Sequence, residues 1–331
     1  MNEPAGGARS IWAGRQVLVT GGSGLLGSWL IARLCAAGAR VVCLQREGRK
    51  PPARAGVQVV GADMRDGAAI ERALREHAIQ TVFHLAAQAL VGRAMMDPAS
   101  TFEINVAGTW GLLDACRKLG TAPQILIASS DKAYGVHERL PYTEDSALLG
   151  RAPYEASKVC ADVIAQSYAQ SYGLPVAITR CGNFYGGGDL NWNRVVPGTI
   201  RSLLHGERPL IRSNGRFVRD YLYVEDGAAA YMTLAEQLLS DPSLRGEAFN
   251  FAGGEIDVLG LVARIAQAMG SELQPVVLDQ ASNEIPVQVL SSQKALARLG
   301  WKPEHTLDQG LAKAIAWYRR YFAPRAAGAM S

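Results

Sequence analysis

Two short runs hold side chains able to move protons. The first, Ser130-Asp131-Lys132, places a hydroxyl, a carboxyl and an amine on consecutive residues at the end of an apolar stretch. The second, Tyr154-Glu155-Ala156-Ser157-Lys158, spaces a phenol and an amine four residues apart, which puts them on one face of a helix. An ammonium beside a phenol favours the phenolate, so Tyr154 can act as a base toward an alcohol while Ser130 hydrogen-bonds the same hydroxyl. Asp131 and Lys132 supply a second acid–base pair only if the chain turns just after Ser130, because consecutive strand residues point to opposite faces. Tyr134-Gly135 is compatible with such a turn. An Asp–Lys ion pair closing a strand end would use the same residues without any chemistry.

Upstream, Val17-Leu18-Val19-Thr20 runs straight into Gly21-Gly22-Ser23-Gly24-Leu25-Leu26-Gly27. This is a strand, a glycine turn and a helix start in succession. Bare Cα atoms at Gly21, Gly24 and Gly27 permit a tight turn, close approach of backbone N–H groups to a pyrophosphate, and tight helix–strand packing. In that context the spacing reads as a dinucleotide site, whereas alone it reads as an ordinary turn. The second strand ends in Gln45-Arg46, with Arg49 and Lys50 near, and lacks the acid that accepts from the ribose 2′-hydroxyl of NAD. Arg46 therefore favours the 2′-phosphate of NADP, with NAD beside solvated loop charges as the other reading. Asp63 and Met64 follow the third strand, where Asp63 is placed for the adenine amino group. Leu85-Ala86-Ala87 follow the fourth, letting the cofactor pass close to the backbone, and His84 reads as packed.

The positioning elements come from apolar runs alternating with helical patterns, the signature of βαβ units. Strands are expected at Gln16–Thr20, Arg40–Leu44, Val57–Ala62, Thr81–Leu85, Gln124–Ser129 and Val176–Arg180, and helices at Leu26–Ala37, Ala68–His77, Thr101–Leu119 and Tyr154–Tyr172. The pattern predicts an α/β fold: a doubly wound parallel sheet of Rossmann type over residues 1–180, and a smaller α/β lobe over 181–331 with the chain crossing back to the sheet. Beyond Arg180 it gives a glycine-rich loop (Gly182 to Gly188), a helix near Pro197–His205, and short strands around Pro209–Arg212 and Tyr221–Val224. Helices near Leu259–Met269, Gln293–Leu299 and Leu307–Phe322 follow.

The 331 residues, 48% apolar, suffice for a sizeable core. A net charge of +4 is spread among acids, which argues against nucleic acid and suits a small anionic substrate. Five cysteines, an odd number without Cys-x-x-Cys spacing, read as reduced core thiols and not as a metal site. No run reaches the ~18 apolar residues of a membrane span, and the first dozen residues lack the apolar core of a signal peptide. A cytoplasmic soluble protein, with no membrane partner, is expected.

On the glycine turn, Ser130 and Tyr154-x-x-x-Lys158, the chain resembles the extended short-chain dehydrogenases/reductases, the NAD(P)-dependent nucleotide-sugar epimerases and dehydratases. The likeness spans nearly the whole chain. Within the group, four stretches are most similar to CDP-glucose 4,6-dehydratase-like enzymes: His84-Leu85-Ala86-Ala87-Gln88-Ala89-Leu90-Val91, Ser130-Asp131-Lys132, Gly182-Asn183-Phe184-Tyr185-Gly186-Gly187-Gly188-Asp189 and Leu299-Gly300-Trp301-Lys302-Pro303.

The resemblance implies that Tyr154 takes the 4-hydroxyl proton as hydride leaves C4, Lys132 removes the C5 proton, and Asp131 protonates the departing 6-hydroxyl. Hydride then returns to C6, giving an NDP-4-keto-6-deoxy sugar with the tightly bound NADP or NAD recycled in each turnover. Elimination requires a protonated Asp131 and a neutral Lys132, the reverse of a solvated pair; burial favours the first, neighbouring positive charge the second, and the two titrate together. It further implies that Gln88, Asn183, Arg194 and Arg219 contact the nucleotide-diphosphate sugar. Asn105 is implied to pack near the nicotinamide, with a helix-stabilising role as the alternative. The stretch Glu284 to Leu290 lacks the basic residue that many such enzymes use as a second diphosphate clamp, and Gln288 stands near that place. An NDP-sugar 4-epimerase needs the same cofactor site and Tyr154/Lys158 but no acid–base pair at C5 and C6. A non-catalytic nucleotide-binding regulator of the same fold needs the cofactor site but not Ser130, Tyr154 and Lys158, whose presence disfavours it. A homodimer through the helices Thr101–Leu119 and Tyr154–Tyr172 is implied as well.

Overall fold

The computed structural model describes residues 10–46, 48, 56–280 and 285–323. Arg49, Lys50 and Glu284 lie outside the described residues.

In the first half, strands β1 (Gln16–Thr20), β2 (Arg40–Gln45), β3 (Gln58–Gly61), β4 (Thr81–His84), β5 (Gln124–Ala128) and β6 (Val176–Cys181) are separated by helices. These are α1 (Leu25–Ala36), α2 (Gly67–Glu76), α3 (Val91–Met96), α4 (Pro98–Phe102), α5 (Gly108–Arg117) and α6 (Pro153–Tyr172). β1 pairs in parallel with both β2 and β4, so the strand order reverses at its end and opens a crevice above the glycine turn.

Side-chain alternation accounts for the double layer. Val17 and Val19 join Leu30, Ile31 and Leu34 of α1 in one core, while Leu18 joins Ile70 and Leu74 of α2 and Leu112 and Leu113 of α5 in the other. Phe83 and Val82, and Leu126 and Ile125, divide the same way. Both faces are covered, which is why these strands read as nearly continuous apolar runs.

The second half comprises β7 (Asn183–Tyr185), α7 (Val195–Leu204), β8 (Leu210–Ile211), β9 (Val218–Tyr223), α8 (Val224–Ser240), β10 (Ala248–Phe251), β11 (Glu255–Asp257), α9 (Val258–Met269), β12 (Val276–Val277), β13 (Val287–Gln288), α10 (Gln293–Leu299) and α11 (Leu307–Phe322). Two of these belong to the first layer and escaped the sequence reading. β10 lies parallel to β6 and completes a seven-stranded sheet among the described residues. α8 packs Tyr231, Leu234 and Leu238 into the α1 core, and its Ala-rich first half is buried on several sides, which erases the amphipathic period. β9 is the hub of the smaller sheet, parallel to β7 and β13 and antiparallel to β11.

The helix expected at Thr101–Leu119 runs without a break over 98–117 but is not α-helical throughout. A π-turn over Glu103–Ala107 separates α4 from α5 and carries Asn105 inward. Cys43, Cys116 and Cys181 are buried free thiols, but Cys35 is half-buried and Cys160 is exposed, so the core assignment holds for three of the five. Among the described residues no helix is long and apolar enough to cross a membrane.

Candidate active site

β5 ends at Ala128, and the chain turns over Ser130 into one 3-10 turn, Asp131–Tyr134. The Ser130 Oγ accepts from the Lys132 N–H at 3.2 Å and donates to Asp131 Oδ1 at 2.9 Å, a side-chain cap that fixes the turn. The strand alternation is therefore broken where two-residue chemistry requires it. Gly135 closes the turn at φ 69°, with a Cβ there only 2.7 Å from the Leu149 carbonyl carbon. Behind the turn, Tyr134 stacks on Tyr142 and donates to Asn250 Oδ1 at 2.7 Å.

Asp131 is 4% exposed, and burial pushes its carboxyl up against the opposing pull of Lys132, the Ser130 hydroxyl and Arg219. That is the direction a general acid needs. Its Oδ2 has no hydrogen-bond partner among the described residues. Lys132 Nζ donates instead to Gln288 Oε1 at 2.9 Å, so the strand end is not closed by a direct Asp–Lys hydrogen bond.

α6 starts at Pro153, where Glu155 Oε2 accepts from the N–H groups of Arg151 and Ala152 at 3.0 and 3.2 Å. Tyr154 is buried next to Ser130, and Lys158 Nζ donates to the Ala128 carbonyl at 2.8 Å while lying 6.0 Å from the Tyr154 ring centre. Burial pushes the phenol up to about 12, with Ser130 pulling it down, and draws the Lys158 ammonium down to about 8, with Asp162 pulling it up. In place of the expected phenol lowered by Lys158, desolvation is the largest effect on both groups, and the charges that reach the phenol are those of Asp131 and Arg194. One turn further, Asp162 is held by Arg180 of β6 through bonds of 2.8 and 2.9 Å, both residues buried. Arg180 also donates to the Tyr134 hydroxyl at 2.9 Å, tying α6, β6 and the 131–134 turn together.

The dinucleotide cradle is built by close backbone approach. Gly21 has φ 72°, and a Cβ on it would lie 2.8 Å from both Ala86 N and the Leu85 carbonyl carbon; one on Gly27 would collide with Gly21 O. Thr20 Oγ1 accepts from the Leu85 and Ala86 N–H groups at 3.2 and 3.1 Å, which holds Leu85-Ala86-Ala87 over the turn. α1 begins at Leu25-Leu26 with Gly24 as its N-cap, no side-chain cap and no acid in its first turn, so its first N–H groups are left for an anion. Ser23 is exposed beside them. These residues fit a dinucleotide pyrophosphate. His84 bridges Thr20 and Thr109 at 2.9 and 3.1 Å, and burial draws it down to about 3, consistent with packing.

Arg46 is exposed at the end of β2, and its charge reaches Asp63. Asp63 carries Arg65 on both oxygens, at 2.9 and 3.0 Å, and this guanidinium holds the carboxyl below its usual range. An adenine amino group would have to share Asp63 with Arg65. Met64 is buried against Gly108.

On the substrate side the expected residues separate. Gln88 folds back, donating from Nε2 to the Leu90 carbonyl at 3.0 Å and accepting from the Leu90 N–H at 2.8 Å, so its amide shapes its own loop instead of pointing to a ligand. Asn105 clamps that loop to the helix carrying Lys158: Oδ1 accepts from Gln88 N at 2.7 Å, and Nδ2 donates to Gln88 O at 3.1 Å and Ser157 Oγ at 2.9 Å. Asn183 donates to the Asp220 carbonyl at 3.4 Å. Arg194 precedes α7, pairs with Asp189 at 3.1 Å, and its charge still reaches Tyr154. Arg219 is buried, donates to the Val218 and Pro286 carbonyls at 2.9 and 3.2 Å, and its charge reaches Asp131. Asp220, which the sequence did not single out, accepts from the Gly253 and Gly254 N–H groups at 2.7 and 3.1 Å, and burial pushes it up to about 6. The half-buried Ser130 and Lys132 and the buried Asp131 and Tyr154 thus form one cluster with the buried Gln288 and Arg219, with Lys158 behind it, while Arg46 and Asp63 stand apart.

A parallel doubly wound sheet, a glycine cradle and a Ser-Tyr-Lys cluster define a nicotinamide-dinucleotide-dependent class of α/β proteins. The model of the NAD dependent epimerase/dehydratase family matches residues 17–252, and the chain belongs to that family. It is 28% identical over 335 residues to the CDP-glucose 4,6-dehydratase of Salmonella typhimurium, covering 95% of this chain and 93% of that one. It is 30% identical over 326 residues to a dTDP-glucose 4,6-dehydratase of Streptomyces antibioticus, covering 92% of each. Among solved structures, the UDP-glucose 4-epimerase of Thermus thermophilus in complex with NAD superposes with a TM-score of 0.80 at 32% identity, over 92% of this chain and 99% of that one.

Proposed function

We propose that the protein is an NDP-sugar 4,6-dehydratase. The observation that carries this reading is the Ser130-capped turn, which buries Asp131 near Tyr154 and leaves the adjoining Lys132 half-buried. Residues 1–180 carry the dinucleotide, and residues 181–331 supply most groups for the nucleotide sugar. Gly21 to Gly27 and Leu85 to Ala87 would hold NAD, which when bound would supply the hydride acceptor and donor. Arg46 stands where a 2′-phosphate would add a contact for NADP.

Arg219, Arg194 and Asn183 provide charge and donors for the diphosphate. Tyr154 takes the proton from the sugar 4-hydroxyl, held by Ser130, while Lys158 orients and charges the phenol's surroundings. A ketone at C4 acidifies C5–H; Lys132 removes that proton, and Asp131, raised by burial, donates its proton to the leaving oxygen at C6. Hydride return to C6 completes the 4-keto-6-deoxy sugar. The 4-epimerase reading shares Tyr154 and Lys158, and its support is the likeness to the Thermus epimerase. It leaves the buried, half-unpaired Asp131 without a task.

The partner is a second copy of the chain. Phe102, Trp110 and Val163 are 37%, 49% and 54% exposed on α4, α5 and α6, an apolar strip suited to a helical dimer interface. Free thiols accord with a reducing, cytoplasmic setting. Incubation with CDP-, dTDP-, UDP- and GDP-linked hexoses followed by mass spectrometry tests the function. Loss of one water with a new ketone supports it, and an unchanged mass with an inverted C4 supports the epimerase.

A further inference from the structure

Gln288 has 0% exposure and meets Lys132 from 156 residues away in sequence. β13 is short, yet its parallel register with β9 sets Gln288 beside Arg219. The following residues are stitched to the segment beyond the Ser130 turn: Tyr142 N donates to Val289 O at 2.8 Å, and Ser291 N to Tyr142 O at 2.9 Å. Gln288 is thereby fixed in the wall of the Asp131–Lys132 cluster. Its Oε1 accepts from Lys132 Nζ at 2.9 Å, whereas its buried Nε2 has no acceptor among the described residues. An unpaired buried amide donor costs about 1–3 kcal/mol. Asp131 Oδ2 is unpaired in the same cluster. Two orphaned polar atoms, on Gln288 and on the residue next to Lys132, are the mark of a ligand site, because a packed core pairs such groups.

Resting on the dehydratase reading, we propose that Gln288 is a positioning residue for Lys132, holding its amine toward the C5 proton through Oε1 and offering Nε2 to an oxygen of the bound hexose. The physical reason is charge. A carboxylate at this place would bind the ammonium and withdraw the base, and a basic side chain would repel it and donate where an acceptor is needed. An amide oxygen accepts from Lys132 while favouring its protonated form far less than a carboxylate does. In the step served, Lys132 takes the C5 proton and the C5–H electron pair becomes the C5=C6 bond. The C6–O bond breaks, and Asp131 gives its proton to the departing oxygen, which leaves as water.

The experiment compares wild type, Gln288→Met and Gln288→Glu, each loaded with cofactor, in single turnovers with CDP-glucose and dTDP-glucose. Reduced-nicotinamide absorbance reports hydride transfer from C4, and product mass reports water loss. Q288M is expected to slow water loss about 10- to 100-fold, the part of general-base catalysis that orientation carries, while hydride transfer is unchanged. Q288E slows water loss further. If Q288M does not fold, the near-isosteric Q288E carries the same comparison. Wild-type water loss in the variants, or an equal fall of both steps, overturns the role of Gln288. If the wild type transfers hydride but loses no water from either sugar, the dehydratase reading itself fails and this proposal falls with it.

Discussion

Asp162 and Arg180 form a buried ion pair with two hydrogen bonds, 2.8 and 2.9 Å long, one helical turn beyond Lys158. Removing one partner leaves a buried charge uncompensated. Asp162→Leu or Arg180→Leu is expected to destabilise the protein by about 3–5 kcal/mol, and the double variant by less than the sum. Urea unfolding measures all three. Additive losses would show that the two side chains do not act as a pair.

Lys158 gives a pH signature. Burial draws its ammonium down to about 8 from 10.5. Between those values the unfolded chain binds a proton that the folded chain does not, so this group makes stability rise with pH through the window. Below about 8 both states hold the proton and the burial penalty is complete. Lys158→Met is expected to lose that slope, read by denaturant titration across the window; an unaltered slope would remove Lys158 as its origin.

Asp131→Asn and Lys132→Met separate the two halves of the chemistry. Each is expected to reduce water loss about 10²- to 10⁴-fold, the range of a general acid or base, with oxidation at C4 retained. Solvent-deuterium exchange at C5 tells them apart: Asp131→Asn keeps it and Lys132→Met loses it. Exchange persisting without Lys132 would assign the C5 base elsewhere.

The exposed strip on α4 to α6 is expected to be an interface. Trp110→Glu and Val163→Arg would then sediment as monomers at concentrations where the wild type is a dimer. A monomeric wild type would leave the strip without that role.

The central sheet was legible because its strands are buried on both faces and its glycines are demanded by contacts as close as that of Gly21 with Ala86. The turn after Ser130 was legible for a local reason, since Ser130 caps it and Gly135 ends it. What sequence could not show is what distant segments do to that turn. Gln288 and Arg180 come from strands far along the chain, and only the β9–β13 and β5–β6 pairings bring them near. A lone Arg inside Val176–Cys181 was a signal that a buried partner must exist, and Asp162 is that partner. α8 was missed because burial on several sides leaves no polar stripe. Helix spacing gives the proximity of Tyr154 to Lys158 but not the cost of burying both charges.

The most direct test of the proposed reaction follows one hydrogen. With a nucleotide hexose carrying deuterium at C4, the expected product has lost one water and carries that deuterium at C6. A product of unchanged mass with deuterium back on an inverted C4 would contradict dehydration and establish epimerisation in its place.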